Sequence, residues 1–167
     1  PELIPALSES SFSAQRMFRS NLEGDPLLVA FEQQASIVEQ ATMALARRAL
    51  KEGLQLMING VHVVPGLVRV PPDWPLFGYV LTVPDQPEHE RRFTARESST
   101  RGAEHYLARM RAIRQLDDYI VGHSRRVGIP VIESRTFDQT VNDLVGAIAT
   151  DLEHRFGLDA DAGKDPR

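Results

Sequence analysis

The chain has no cysteine, so disulfides and thiolate metal sites are excluded from the outset. It has no apolar run near the ~18 residues that a membrane span needs, and nothing at its start resembles a signal peptide. A cytoplasmic protein with no membrane partner is the expectation. Positive charge is not in excess: the formal net charge is −4, which argues against a general polyanion binder. Lysine is nearly missing, with 2 lysines against 17 arginines. Arginine is the better bidentate partner for phosphate and carboxylate, although a GC-rich genome gives the same ratio with no function attached. Metal-ligand spacing is also lacking. His89 and His105 stand alone, and no His-x-x-x-His, paired-carboxylate or Ser-His-Asp constellation can be assembled, so no metal site is assigned.

What is present suits one soluble domain: 167 residues, 42% apolar and 25% charged. Ser8 to Ser11 offer N-caps for a short helix carrying Phe12, Met17 and Phe18, and Asn21 to Gly24 reads as a turn. Asp25-Pro26 is an N-cap followed by proline at the first helical position. The series Leu27, Phe31, Val38, Ala41, Leu45 and Ala49 keeps helical spacing up to Gly53. Leu54–Ile58, Phe77–Val83 and Ile129–Ile132 are short apolar runs between breakers, as expected of three strands buried in a parallel sheet. Prolines 65, 71, 72 and 75 keep the stretch between the first two irregular. Helical patterns cover Gln86 to Glu97, Ala103 to Val127, and Asp138 to Gly157, with Asp138 as the cap of the last. The final stretch, 158–167, is polar and reads as a frayed tail. Strands alternating with helices argue for an α/β protein with a parallel sheet.

Several segments occur in a telling order: Ser10-Ser11-Phe12-x-Ala14; Asp25-Pro26 with Phe31 and Gln34; Gly60-Val61-His62-Val63-Val64-Pro65-Gly66; and His89-x-x-Arg92-Phe93-x-x-Arg96. Tyr106-Leu107, Ile113-Arg114 and Gly128-Ile129-Pro130-Val131-Ile132 follow. The series resembles the 2-phosphoglycerate kinase family of P-loop phosphotransferases over roughly residues 1 to 137. The resemblance implies a P-loop kinase fold, here incomplete with three strands retained, with helices on both sheet faces and ATP and magnesium as cofactors. It makes residues 1–157 a partial kinase domain whose lid helices span about 86–127. The phosphate-cradling loop, Gly-x-x-x-x-Gly-Lys-Ser/Thr, occurs nowhere in the sequence, whose lysines are Lys51 and Lys164 alone. The resemblance puts that loop and its flanking strands upstream of Pro1. The expectation is therefore a truncated chain, inactive alone, that binds ATP only weakly. It further implies that the family's central strand is missing between Leu54–Ile58 and Phe77–Val83. The chain should then be marginal, or should close the slot by pairing those two segments directly.

Arg92 and Arg96 sit four apart on one helical face, where the resemblance implies catalytic arginines closing over the transferring phosphoryl group. A solvated face with Glu88, Glu90 and Glu97 as ion-pair partners is the alternative. Arg101 is a looser phosphate contact, and nine of the 17 arginines fall between Arg91 and Arg126. Ser134 follows the third strand, where related kinases bind nucleotide. Ser10, Ser11 and Arg16, at a helix start, are candidates for an anionic small-molecule substrate, with helix capping as the bland alternative. His62, after the first strand, is a substrate candidate or a structural histidine. Asn59 stands where an acidic residue would order magnesium, which puts that role in doubt. A phosphotransferase is thus the leading reading, and a non-catalytic anion- or partner-binding module derived from such a kinase is the alternative. RNA binding is disfavoured by the negative net charge and the lack of an aromatic stacking set.

Overall fold

The computed structural model of the protein describes residues 24–95 and 102–157. Helix α1 (Pro26–Glu52) begins where the sequence places it. The Asp25 carboxylate accepts from Leu27 N at 2.8 Å, Pro26 opens the first turn, and Gly53 closes the helix at φ 66°. The Gly53 N–H donates back to Ala49 O and Leu50 O, satisfying two of the carbonyls that a helix end leaves bare. The buried stripe of α1 differs in part from the expected one. Leu27, Phe31 and Ala49 are inside, but Leu45 is exposed, and the small residues Ala35, Thr42 and Ala46 take the inner positions.

After a long irregular stretch come β1 (Val80–Thr82), α2 (Gln86–Ala95), α3 (Gly102–Leu107), α4 (Met110–Arg126), β2 (Val131–Glu133) and α5 (Phe137–Phe156). The strands pair in parallel, with Val80 opposite Val131, Leu81 opposite Ile132 and Thr82 opposite Glu133. Helix α4 packs against both strands and α5 against β2, which is an α/β arrangement. Two of the three expected strands form. The third expectation is corrected: Leu54–Ile58 is in no strand, and Leu54, Leu56, Met57 and Ile58 are all exposed. It neither pairs with β1 nor closes a slot, because β1 takes β2 as its partner among the described residues. An apolar run becomes a strand only when a neighbouring ladder takes its N–H and C=O groups, and no such ladder reaches this one.

Two further expectations are corrected. The 103–127 pattern is two helices: α3 ends at Leu107, and α4 starts after Arg109, whose φ of −117° is not helical. The cap of α5 is Thr136, whose hydroxyl accepts from Gln139 N at 3.3 Å, and Asp138 lies inside the first turn. No residue of α5 is fully buried, and Val141 and Val145 are exposed.

The core lies between α1, the proline-rich loop and α4. Leu27, Phe31, Ala35, Val64 and Leu116 form one buried cluster, with Tyr119 and Ile120 packed on it. Phe31, 0% exposed, stacks on the His62 ring at 5.1 Å and meets Tyr119 edge-on at 6.0 Å. The loop approaches α4 so closely at Gly66, φ 83°, that a Cβ there would sit 2.9 Å from Val127 Cγ1. At the other end of that junction, buried Ser124 donates to Ile129 O at 2.8 Å, fixing the turn from α4 into β2. Phe31→Ala is expected to lower the unfolding free energy by about 3–5 kcal/mol, read as an earlier urea midpoint. A shift below about 1 kcal/mol would contradict its place as the keystone of this cluster.

Candidate functional site

Both strands run out at the same edge. Beyond Thr82, Val83-Pro84 lead into α2, and beyond Glu133, residues 134–136 lead into α5. This C-terminal edge of a parallel sheet is where open α/β folds hold ligands. Helix α2 is fixed at its start by Asp85, whose carboxylate accepts from Glu88 N at 3.0 Å.

Arg92 of α2 reaches across this edge to the loop after β2. Its Nε donates to Glu88 Oε1 at 2.7 Å, Nη1 to Ser134 Oγ at 2.8 Å, and Nη2 to Ser134 O at 2.9 Å and to Arg135 O. Two residues singled out separately for phosphate or nucleotide contact are therefore each other's partners, 42 positions apart in sequence. Glu88 is shared: Arg91 also holds it, through Nε at 2.7 Å and Nη2 at 2.8 Å. Hydrogen bonds from Arg91 and then Arg92 hold the Glu88 carboxyl far below its ordinary value, at about 2. The Glu88 ion pairs weighed as the bland reading are thus present, but they account for one of Arg92's four acceptors.

A second arginine grips the other side of the edge, and spacing alone did not give it a role. Arg114 Nη1 donates to Val83 O at 2.5 Å and Nη2 to Pro84 O at 3.0 Å. It also faces Asp117 at 3.5 Å, and Asp117 Oδ2 accepts from the Thr82 hydroxyl at 2.7 Å. Arg114 and Asp117 thereby clamp the last residues of β1, from which α2 departs. The readable signal was the i,i+3 pair on α4, which by itself looks like any surface ion pair. His89 lies beside this clamp. Its ring stacks on Phe93 at 4.9 Å, and Phe93 stacks on Tyr106 at 4.8 Å, joining α2 to α3. Its Nδ1 is buried with no hydrogen-bond partner among the described residues.

His62 is placed differently from the expectation. No strand among the described residues precedes it, and its ring lies on Phe31 with Nε2 hydrogen-bonded to the buried Gln34 Oε1 at 3.2 Å. The structure thus keeps it away from the strand ends and against the core. Ser10, Ser11, Arg16, Arg96 and Arg101 lie outside the described residues. A cleft of about 480 Å³ opens beside the Arg114 clamp, lined by Asp25, Gln86, Arg111, Arg114, Gln115 and Asp118. Its wall carries both signs of charge, which suits a small, strongly polar ligand.

A triphosphate and its metal do not fit the groups present. Lys51 is exposed in the last turn of α1, and no glycine-rich phosphate loop precedes it in the sequence. No group of three His, Asp or Glu side chains that could hold a metal ion occurs among the described residues. What the edge does provide is guanidinium and hydroxyl groups that can donate to an anion.

A 2-phosphoglycerate kinase from Pyrococcus furiosus is 30% identical over 164 residues, covering 95% of this chain and 54% of the relative. One from Thermococcus kodakarensis is 37% identical over 153 residues, 91% of this chain and 52% of the relative. Along nearly its whole length the chain is similar to 2-phosphoglycerate kinases. A third relative, from Methanocaldococcus jannaschii, is 32% identical over 162 residues, again 95% of this chain and 52% of the relative. The chain spans about half the length of the curated 2-phosphoglycerate kinases it matches. No family model matches it, and no solved structure matches it significantly. No helix among the described residues is long and apolar enough to cross a membrane.

The histidines give this chain a pH signature. Burial, the largest cause in each case, holds His62, His89 and His123 below the ordinary imidazole value. The unfolded chain then binds protons more readily than the folded one from about pH 6.5 downward. The stabilisation is present above that value and is lost as pH falls through the depressed folded values. The urea midpoint is expected to drop between pH 7.5 and 5.5, and His62→Gln should flatten part of that slope. A midpoint independent of pH across this window would contradict the buried, neutral imidazoles.

Proposed function

We propose that the intact protein is a phosphotransferase that moves a phosphoryl group from ATP to a small anionic acid, with 2-phosphoglycerate the first acceptor to test. The observation that carries this reading is the position of Arg92. A guanidinium borne on a helix leaves the end of β1 and is set across the end of β2, in a chain similar to kinases along nearly its whole length. Phosphoryl transfer demands little covalent chemistry of the protein. It needs the phosphates positioned and the developing charge stabilised, and fixed guanidinium groups at a strand edge are suited to both.

In this reading Arg92 and Arg96 neutralise charge on the transferring group, and Arg101 and Ser134 contact phosphate or nucleotide. Ser10, Ser11 and Arg16 receive the anionic acceptor. His62 contributes by orienting rather than by contact, since its Nε2 is already directed at Gln34. Arg114 and Asp117 hold the departure point of α2, so that Arg92 arrives at one place. ATP supplies the phosphoryl group; beyond those arginines and Ser134 the described residues offer its triphosphate no cradle, and they hold no ligand set for magnesium.

Two measurements test this. Calorimetric titration of the 167-residue chain with magnesium-ATP is expected to show no better than weak binding, because the sequence holds no Gly-x-x-x-x-Gly-Lys-Ser/Thr loop. Micromolar affinity would mean that the nucleotide site is built from the residues present. In the intact enzyme, assayed with ATP and 2-phosphoglycerate, Arg92→Ala and Arg96→Ala should each lower kcat by about 10²-fold, with a smaller change in nucleotide KM. Thermal melts of both variants separate lost chemistry from lost packing. Wild-type turnover in both would leave Arg92 a purely structural strut.

A further inference from the structure

Arg92 cannot give a phosphate a two-point grip and keep all its present partners at once. A guanidinium has five N–H donors in a planar fork, and this one already feeds four acceptors on one side of α2 and in the loop after β2. Three of those acceptors are neutral: a hydroxyl and two backbone carbonyls. A phosphate oxygen adds a full opposite charge that a hydroxyl or carbonyl lacks, so it competes well for the same N–H groups. Glu88 is different. Among the described residues it is the one anion on Arg92, held at 2.7 Å, and it is bound by Arg91 from the other side. One carboxylate between two guanidinium groups cancels one of their two charges and leaves an incoming anion a weaker field.

We infer that Glu88 sets how tightly Arg92 can hold a phosphoanion, by keeping that guanidinium paired and turned toward the loop after β2. This rests on the reading of Arg92 as a phosphate contact and adds a determinant of affinity that the reading does not contain. Its mark is a reversed sign. Most substitutions around a binding site weaken it, whereas Glu88→Gln should strengthen it. The glutamine amide oxygen can still accept from Arg92 Nε, so the helix geometry is kept while the competing charge is removed. The expected gain is about three- to tenfold in anion affinity, as for one charge removed within hydrogen-bonding distance of a partly exposed site.

The test is calorimetric titration of the 167-residue chain with tripolyphosphate and with 2-phosphoglycerate at low ionic strength. Wild type, Glu88→Gln and Glu90→Gln are compared. Glu90 lies on the same helix but accepts from Gln86 Nε2 and does not touch Arg92, so its loss changes the net charge equally without freeing the guanidinium. Tightening in Glu88→Gln alone, abolished when Arg92→Ala is added, supports the inference. Equal tightening in both glutamine variants overturns it, since mere net charge then suffices. Unchanged or weaker binding in Glu88→Gln also overturns it and leaves the phosphotransferase reading standing. Absence of any anion binding at millimolar concentration overturns it too, and the ATP-dependent assay of the intact enzyme then decides the broader reading separately.

Discussion

Three residues of parallel backbone pairing hold the candidate site together. Val80–Thr82 against Val131–Glu133 is a short ladder, yet it decides that α2 and α5 leave the sheet side by side. Because the pairing is parallel, both exits point the same way, and the chain after each strand must turn over the same edge. Ser134 N donating to Thr82 O at 2.7 Å carries the ladder past its last strand residue, right up to the loop that Arg92 grips. An antiparallel pair of the same two segments would put Arg92 and Ser134 at opposite ends.

Two arginines with different roles stabilise this edge. Arg114 is largely enclosed, with 20% of its side chain exposed, and its acceptors are carbonyls just past β1 together with Asp117. Taking it away would strand two carbonyls and leave Asp117 with the Thr82 hydroxyl but no countercharge, the kind of loss that costs most when groups are shielded from water. Arg92 is more open and holds mostly neutral oxygens, so its grip is easier to exchange. One arginine fixes where the helix starts, and the other governs where its far side rests.

Local chemistry made much of the fold legible. Asp25, Pro26 and Gly53 bound α1 because a cap, a pre-set φ and a left-handed terminus each act within one or two residues. Gly157 ends α5 by the same means. Leu54–Ile58 misled because its apolar character describes what a strand would bury, not whether a partner exists to receive it. The long 103–127 pattern hid a break, since an apolar face keeps its period across the two non-helical residues, Ala108 and Arg109. At the site, arginine and serine types in the right segments pointed to Arg92 and Ser134, but not to their contact. Thr82 with Asp117, 35 residues apart, left no trace at all, because a tertiary hydrogen bond has no periodicity to read.

The 42 residues between Arg92 and Ser134 also order events during biosynthesis. A ribosome adding about 5–20 residues per second emits the arginine-bearing helix roughly 2–8 s before the loop it rests on. Over that interval α2 has Asp85 at its start and the Glu88 pairs along its flank, but nothing across the strand edge. Closing a loop of this length also carries an entropic cost that local helix formation does not. In the nascent chain the arm therefore precedes its rest, and its arginines face the cell's own phosphates before they face Ser134.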